Sequence, residues 1–186
     1  MKRKRSQDLL IVGIGHFIEA VILFATTRVM TSLLSPEAVG HYALVYAFVT
    51  MFFALFIVPP SFYTQRLMLE WKAAGSLFDY AEKYIIYVLV IGVVSGGIAL
   101  LLRAAFQIDL PFSNIRIFGL VCGLVVFMNL NTFFYSSFNM FQLRVRFAVC
   151  SIVTGILVLA GSVLLSFWLG KNAEDWVLGQ IAGQGV

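Results

Sequence analysis

A histidine, a carboxylate and a guanidinium stand inside one apolar stretch near the start of the chain: His16, Glu19 and Arg28. An ionisable group at the centre of a spanning helix costs about 2.5–3.5 kcal/mol on insertion scales, so its presence asks for a chemical reason. On a helix, His16 and Glu19 lie one turn apart on the same face, with Gly15 and Thr26 close to that face. Facing a central cavity, such a pair takes up and releases protons or holds a cation. The alternative is a buried polar contact that fixes helix packing through hydrogen bonds. Arg28 follows Glu19 by nine residues, about 180° around a helix of 3.6 residues per turn, so no salt bridge between them is expected. Its guanidinium either lines a cavity, where it forks onto the oxygens of an anionic substrate, or snorkels to the headgroups at the nearby span end.

Arg66 follows Pro59-Pro60 and Ser61-Phe62-Tyr63-Thr64-Gln65. It either meets a pyrophosphate entering from the cytoplasmic leaflet or anchors the chain on its basic side, as Arg144 and Arg146 do. Asn129, Asn131 and Thr132 either bond between helices or face a sugar. Gly92-x-x-x-Gly96 permits a close helix approach. Cys122 and Cys150 lie inside apolar runs without metal-ligand spacing and read as packed thiols. Catalytic patterns are lacking: no paired carboxylates at workable spacing, no Gly-rich phosphate loop after a strand, no H-E-x-x-H, no nucleophile elbow. No enzyme activity, metal or cofactor is expected.

The elements that must position these residues are membrane helices. The chain is 61% hydrophobic and 12% charged, with mean hydropathy +0.94; a soluble domain is about 45–50% apolar. At roughly 20 residues per span, 186 residues have room for five or six helices. The spans are expected at about 9–34, 39–64, 84–102, 117–138 and 147–169, with a sixth beginning at Trp176 and too short to cross by Val186. Ser35-Pro36-Glu37 reads as a helix start: a cap, a first-turn proline and an acidic residue at the positive helix end. Pro59-Pro60 should kink or break the second helix. Glu70–Lys83 reads as a short interfacial helix or a plain loop. The long apolar run from Leu9, without a small-x-small cleavage site, reads as a retained span behind the basic residues Lys2 to Arg5, not as a secretory signal.

Nine basic residues fall on one side of these spans: Lys2, Arg3, Lys4, Arg5, Arg66, Lys72, Lys83, Arg144 and Arg146. Arg103, Arg116 and Lys171 fall on the other, and the bias places the N-terminus in the cytoplasm. Because the charges sit between spans, the net +4 sets orientation and does not point to nucleic acid. The expected fold is an all-α polytopic transmembrane helix bundle with five full spans and the start of a sixth.

One stretch carries a family likeness. Leu33-Leu34-Ser35-Pro36-Glu37-Ala38-Val39-Gly40-His41-Tyr42-Ala43-Leu44 resembles the join between the first two helices of polysaccharide flippases. These are the O-antigen and capsule translocases of the multidrug/oligosaccharidyl-lipid/polysaccharide exporter superfamily. Phe62-Tyr63-Thr64-Gln65-Arg66 resembles the family's basic close to helix two, and Leu143-Arg144-Val145-Arg146-Phe147 its basic turn into helix five. Ser32 departs from the pattern, standing where family members often carry a basic residue; Arg28 lies one turn earlier.

The resemblance covers nearly the whole chain and the first half of such a protein. It implies a multi-pass protein of the bacterial inner membrane, one lobe of a two-lobed carrier. Its cargo would be an undecaprenyl-pyrophosphate-linked oligosaccharide, moved by alternating access. Arg28, Arg66 and Asn129 are then the candidate substrate contacts, and His16 with Glu19 the candidate ion-coupling pair. Polysaccharide polymerase and assembly proteins are further expected partners. Two other readings remain open: a multidrug cation antiporter of the same superfamily, and a non-transporting scaffold for polysaccharide assembly.

Overall fold

A computed structural model describes residues 2–108, 110–141 and 143–185, and side chains from 13 onward apart from position 139. The side chains of Lys2, Arg3, Lys4 and Arg5, and the loop residue Asp109, lie outside this description. The described chain is all helical: α1 (Lys2–Leu33), α2 (Pro36–Phe52), a π-helical turn (Phe53–Ile57), α3 (Val58–Ala73), α4 (Leu77–Phe106), α5 (Asn114–Met140), α6 (Arg144–Trp168) and α7 (Ala173–Gln184). Among the described residues five helices are long and apolar enough to cross a membrane, at Gly13–Leu33, Pro36–Ala73, Leu77–Phe106, Asn114–Phe138 and Arg144–Trp168.

The expected helix start at Ser35 forms. Its backbone is extended, its Oγ accepts from the Ala38 amide at 3.2 Å, and Pro36 opens α2. The double proline acts less abruptly than a break. One π turn precedes Val58-Pro59-Pro60, and the helix then resumes to Ala73. Widening the turn accommodates prolines that neither donate nor fit against the previous carbonyls. The helical rod that holds the second expected span, 39–64, therefore extends from 36 to 73.

Glu70–Lys83 is neither an interfacial helix nor a loop. α3 ends in a Schellman turn, with the Ser76 amide bonded to Trp71 O at 3.0 Å and the Gly75 amide to Lys72 O at 3.3 Å. Gly75 takes φ +74°, which an L side chain adopts only at a cost. α4 begins two residues later, at Leu77, so the helix that holds the third expected span starts ahead of position 84. Trp71 stacks on Tyr80 across the hairpin at 4.3 Å. The remaining starts move less: α5 at Asn114 instead of 117, α6 at Arg144 instead of 147, α7 at Ala173 instead of 176.

α5 is the central rod. Ile117, Leu120, Val121, Leu124 and Val125 are buried against Val45 and Val49 of α2 and Val177 of α7. On its other side Val126 and Phe133 pack with Tyr84 and Val88 of α4 and Ile57 and Met68 of the second span. Because lipid is as apolar as a side chain, close packing at small residues holds such helices together. Gly92 and Gly96 do this for α4: a Cβ there would come within 2.6 Å of Val126 and 2.8 Å of Phe118 on α5. α7 lies still closer to α6, where a Cβ on Gly179 would stand 2.3 Å from the Ser162 Cα and one on Gly183 2.5 Å from Leu157 O.

The two ends of the bundle are tied by different contacts. At the Gly75 end, Lys72 lies over the Phe141 ring at 4.3 Å, tying the α3–α4 hairpin to the end of α5. At the opposite end Arg116 pairs with Glu174, and His41 meets Phe112 edge-on at 6.0 Å.

Candidate functional site

Glu19 reaches its surroundings because α1 and α6 meet along small residues. Gly15 packs on Ala148, where a Cβ would stand 3.2 Å away, and Gly155 packs on Ile22 at 3.3 Å. Residues spaced by three, four and seven share a helix face. Gly15, Glu19 and Ile22 therefore face Ala148, Ser151 and Gly155. Ser151 Oγ donates to Glu19 Oε1, and His16 Nδ1 lies 2.9 Å from Glu19 Oε2. The carboxylate is half-buried while the imidazole is mostly exposed, at 28% and 59% of their side-chain surfaces. Phe147 and His16 stand edge to face at 6.1 Å.

Above this pair opens a cavity of about 460 Å³ between α1, α2, α5, α6 and α7. Its wall is amphipathic. Hydroxyls come from Thr26, Tyr42, Tyr135, Ser151 and Thr154, and amides from Asn131, Gln180 and Gln184, among methionine, isoleucine and tryptophan side chains. The amides are partly held: Gln180 Nε2 donates to Tyr42 OH at 3.1 Å and Asn131 Nδ2 to Gln184 O at 3.0 Å. Tyr42 and Tyr46 stack at 5.6 Å. Glu19 is the one ionisable carboxylate on the wall. Among the described residues no three His, Cys, Asp or Glu side chains converge. A cation here would therefore rest on Glu19 and neutral oxygens.

No protein-family model, no curated protein and no solved structure matches the chain. The residues themselves carry the functional reading.

Of the five residues assigned to substrate contact or ion coupling, the fold brings His16 and Glu19 together and leaves the other three elsewhere. Arg28 is exposed on α1 and absent from the cavity wall. Arg66 is exposed on α3; its neighbour Gln65 turns inward instead, donating to Ser61 Oγ at 3.1 Å and Ser136 Oγ at 3.0 Å. Asn129 is wholly buried, its Nδ2 bonded to Val125 O one turn back. Asn131, two residues on and so about 200° around the helix, faces the cavity with Thr132.

Ser151, Thr154, Tyr135, Gln180 and Gln184 were not singled out from the sequence. Serine and threonine three apart on α6, and glutamines four apart on α7, are face-sharing polar pairs on apolar helices. That spacing is the signal they offer.

A second polar cluster lies where α6 turns into α7. Arg116 Nη1 donates to Glu174 Oε1, and the neighbouring Asp175 is buried. Burial pushes the Asp175 carboxyl above the usual carboxylate range, against the opposing pull of a backbone contact from Asn172 and the charge of Arg116.

Proposed function

We propose that this bundle is a carrier lobe of a polysaccharide flippase, with its N-terminus in the cytoplasm of a bacterial cell and its helices in the inner membrane. Its cargo is an undecaprenyl-pyrophosphate-linked oligosaccharide, moved to the periplasmic leaflet by alternating access against a second lobe. The observation that supports this reading is the hydroxyl- and amide-walled cavity inside an otherwise apolar bundle. Neutral donors and acceptors beside stacked aromatic rings suit sugar hydroxyls, which exchange hydrogen bonds and carry no charge. Glu19, held by Ser151 and His16, is the proton- or cation-coupling group of this lobe.

Arg28 and Arg66 take no part in the cavity wall. In this reading they serve the headgroup region on either side of the bilayer, and Asn131 replaces Asn129 as the amide that meets sugar.

The test is complementation. Deleting the gene that encodes this chain should abolish lipid-linked oligosaccharide at the periplasmic face. The wild-type gene should restore it and Glu19→Gln, at equal protein level, should not. Normal display in the deletion strain would end the flippase reading. One observation favours a second reading: Glu19 is a carboxylate on a largely neutral cavity wall, as a cationic drug would need. Raised sensitivity to cationic drugs together with intact polysaccharide would select the antiporter.

A further inference from the structure

We propose that the bundle binds one anionic phospholipid of the surrounding bilayer between α2, α4 and α5, at the end opposite Gly75, with its phosphate on Arg103 and an acyl chain in the adjoining groove. The groove has a volume of about 310 Å³ and is walled by Phe48 and Met51 of α2, Ala99 and Leu102 of α4, and Ile117 and Val121 of α5. Its wall is almost wholly apolar. Beside it lies a polar hollow of about 570 Å³ lined by Arg103, Gln107 and Asn114. Arg103 and Ile108 line both. A tail-and-head amphiphile matches this pair of spaces; a wholly polar or wholly apolar ligand matches half of it.

The charge selects an anion. Arg103 Nη1 donates to Phe112 O at 2.6 Å and to Asn114 Oδ1 at 3.0 Å, and Nη2 donates to Leu110 O at 2.9 Å. All three acceptors are neutral, so they orient the guanidinium without balancing its charge. Among the described residues no carboxylate pairs with Arg103, whereas Arg116 at the same end has Glu174. A guanidinium carries five N–H donors, so two remain to fork onto phosphate oxygens. Because the loop carbonyls already hold the fork in place, little side-chain freedom is lost on binding.

The groove sets the ligand as a lipid and not a free phosphate. It reaches from Leu44 to Met51 along α2, about 10 Å at 1.5 Å per residue, enough for the headgroup-proximal part of an acyl chain. This site shares no lining residue with the Glu19 cavity, and its occupancy is independent of the carrier reading.

The experiment is native mass spectrometry of the full chain released from detergent, with dioleoylphosphatidylglycerol and dioleoylphosphatidylcholine present in equal amounts. The phosphatidylglycerol adduct is expected to be retained several-fold over the phosphatidylcholine adduct. Ala47→Phe, on an exposed residue of the groove wall, should fill the groove and remove that preference while leaving the Arg103 bonds intact. Leu44→Trp is a second blocking variant should Ala47→Phe lower the melting temperature. Arg103→Gln should equalise the two lipids and Arg103→Lys should retain part of the preference. Equal retention of both lipids by the wild-type chain would overturn the proposal. So would phosphatidylglycerol held undiminished by both groove-filling variants, or displaced by inorganic phosphate alone.

Discussion

Glu19 has a partner on each oxygen, one from its own helix and one from α6. Ser151→Ala removes the cross-helix donor without altering the carboxylate. A half-buried bond of this kind contributes about 1 kcal/mol, so detergent melting should fall modestly while Glu19 remains available to an ion. Glu19→Gln keeps the shape and one accepting oxygen for Ser151, turns the other position into a donor that His16 Nδ1 meets in its accepting tautomer, and removes the charge. Transport should drop with melting nearly unchanged; an equal loss of both would make the residue a packing contact only. Asp175 makes a different prediction. Its raised value means the folded chain holds a proton that the unfolded chain has released, so stability is greatest below the ordinary carboxylate value. That stability is lost as pH rises from there through the folded-state value. Asp175→Asn cannot ionise and should flatten this dependence, which melting across the acidic range at fixed salt would show.

Helix pairs fail where a backbone lies against a backbone. Gly179 leaves no room for a methyl group beside Ser162 and Gly161 of α6, and side chains cannot rotate to make space. Overpacking costs about 1–3 kcal/mol or more, so Gly179→Val should lower melting strongly and detach α7. Gly97 on α4 meets nothing within 4 Å, and Gly97→Ala should leave stability unchanged or raise it by about 0.5–1 kcal/mol through helix propensity. The contrast separates contact from composition, since both residues are glycines in apolar helices. The sequence pattern Gly92-x-x-x-Gly96 indicated a close approach and the fold uses it against α5. Gly179-x-x-x-Gly183 has the same spacing and sits in a segment read only as an interrupted span. Its significance depends on α6 presenting Gly161 and Ser162 opposite.

At the scale of the bundle, the basic bias makes an orientation prediction that chemistry can check. In a background with Cys122 and Cys150 replaced by alanine, a cysteine at Ser76 should react with an impermeant maleimide only after the membrane is opened. One at Asn172 should react in intact spheroplasts. The reverse pattern would invert the whole topology, including which leaflet supplies the Arg103 lipid.

The all-helical class, the rough place of the long apolar helices, the capped start at Ser35 and the pairing of His16 with Glu19 were legible in the residues alone. They depend on local hydropathy and on spacing within one helix, and lipid enforces both because backbone groups must be satisfied within each helix. Which polar groups share a cavity was not legible. Arg28, Arg66 and Asn129 each sit one or two residues, or half a helix turn, from the faces that turn inward, and rotation about a helix axis is set by its neighbours. Ser151 meets Glu19 across 132 positions only because Gly15 and Gly155 let α1 and α6 close on each other. Such a contact has no local signature: it is fixed by shape complementarity between two rods, which exists only once they are packed.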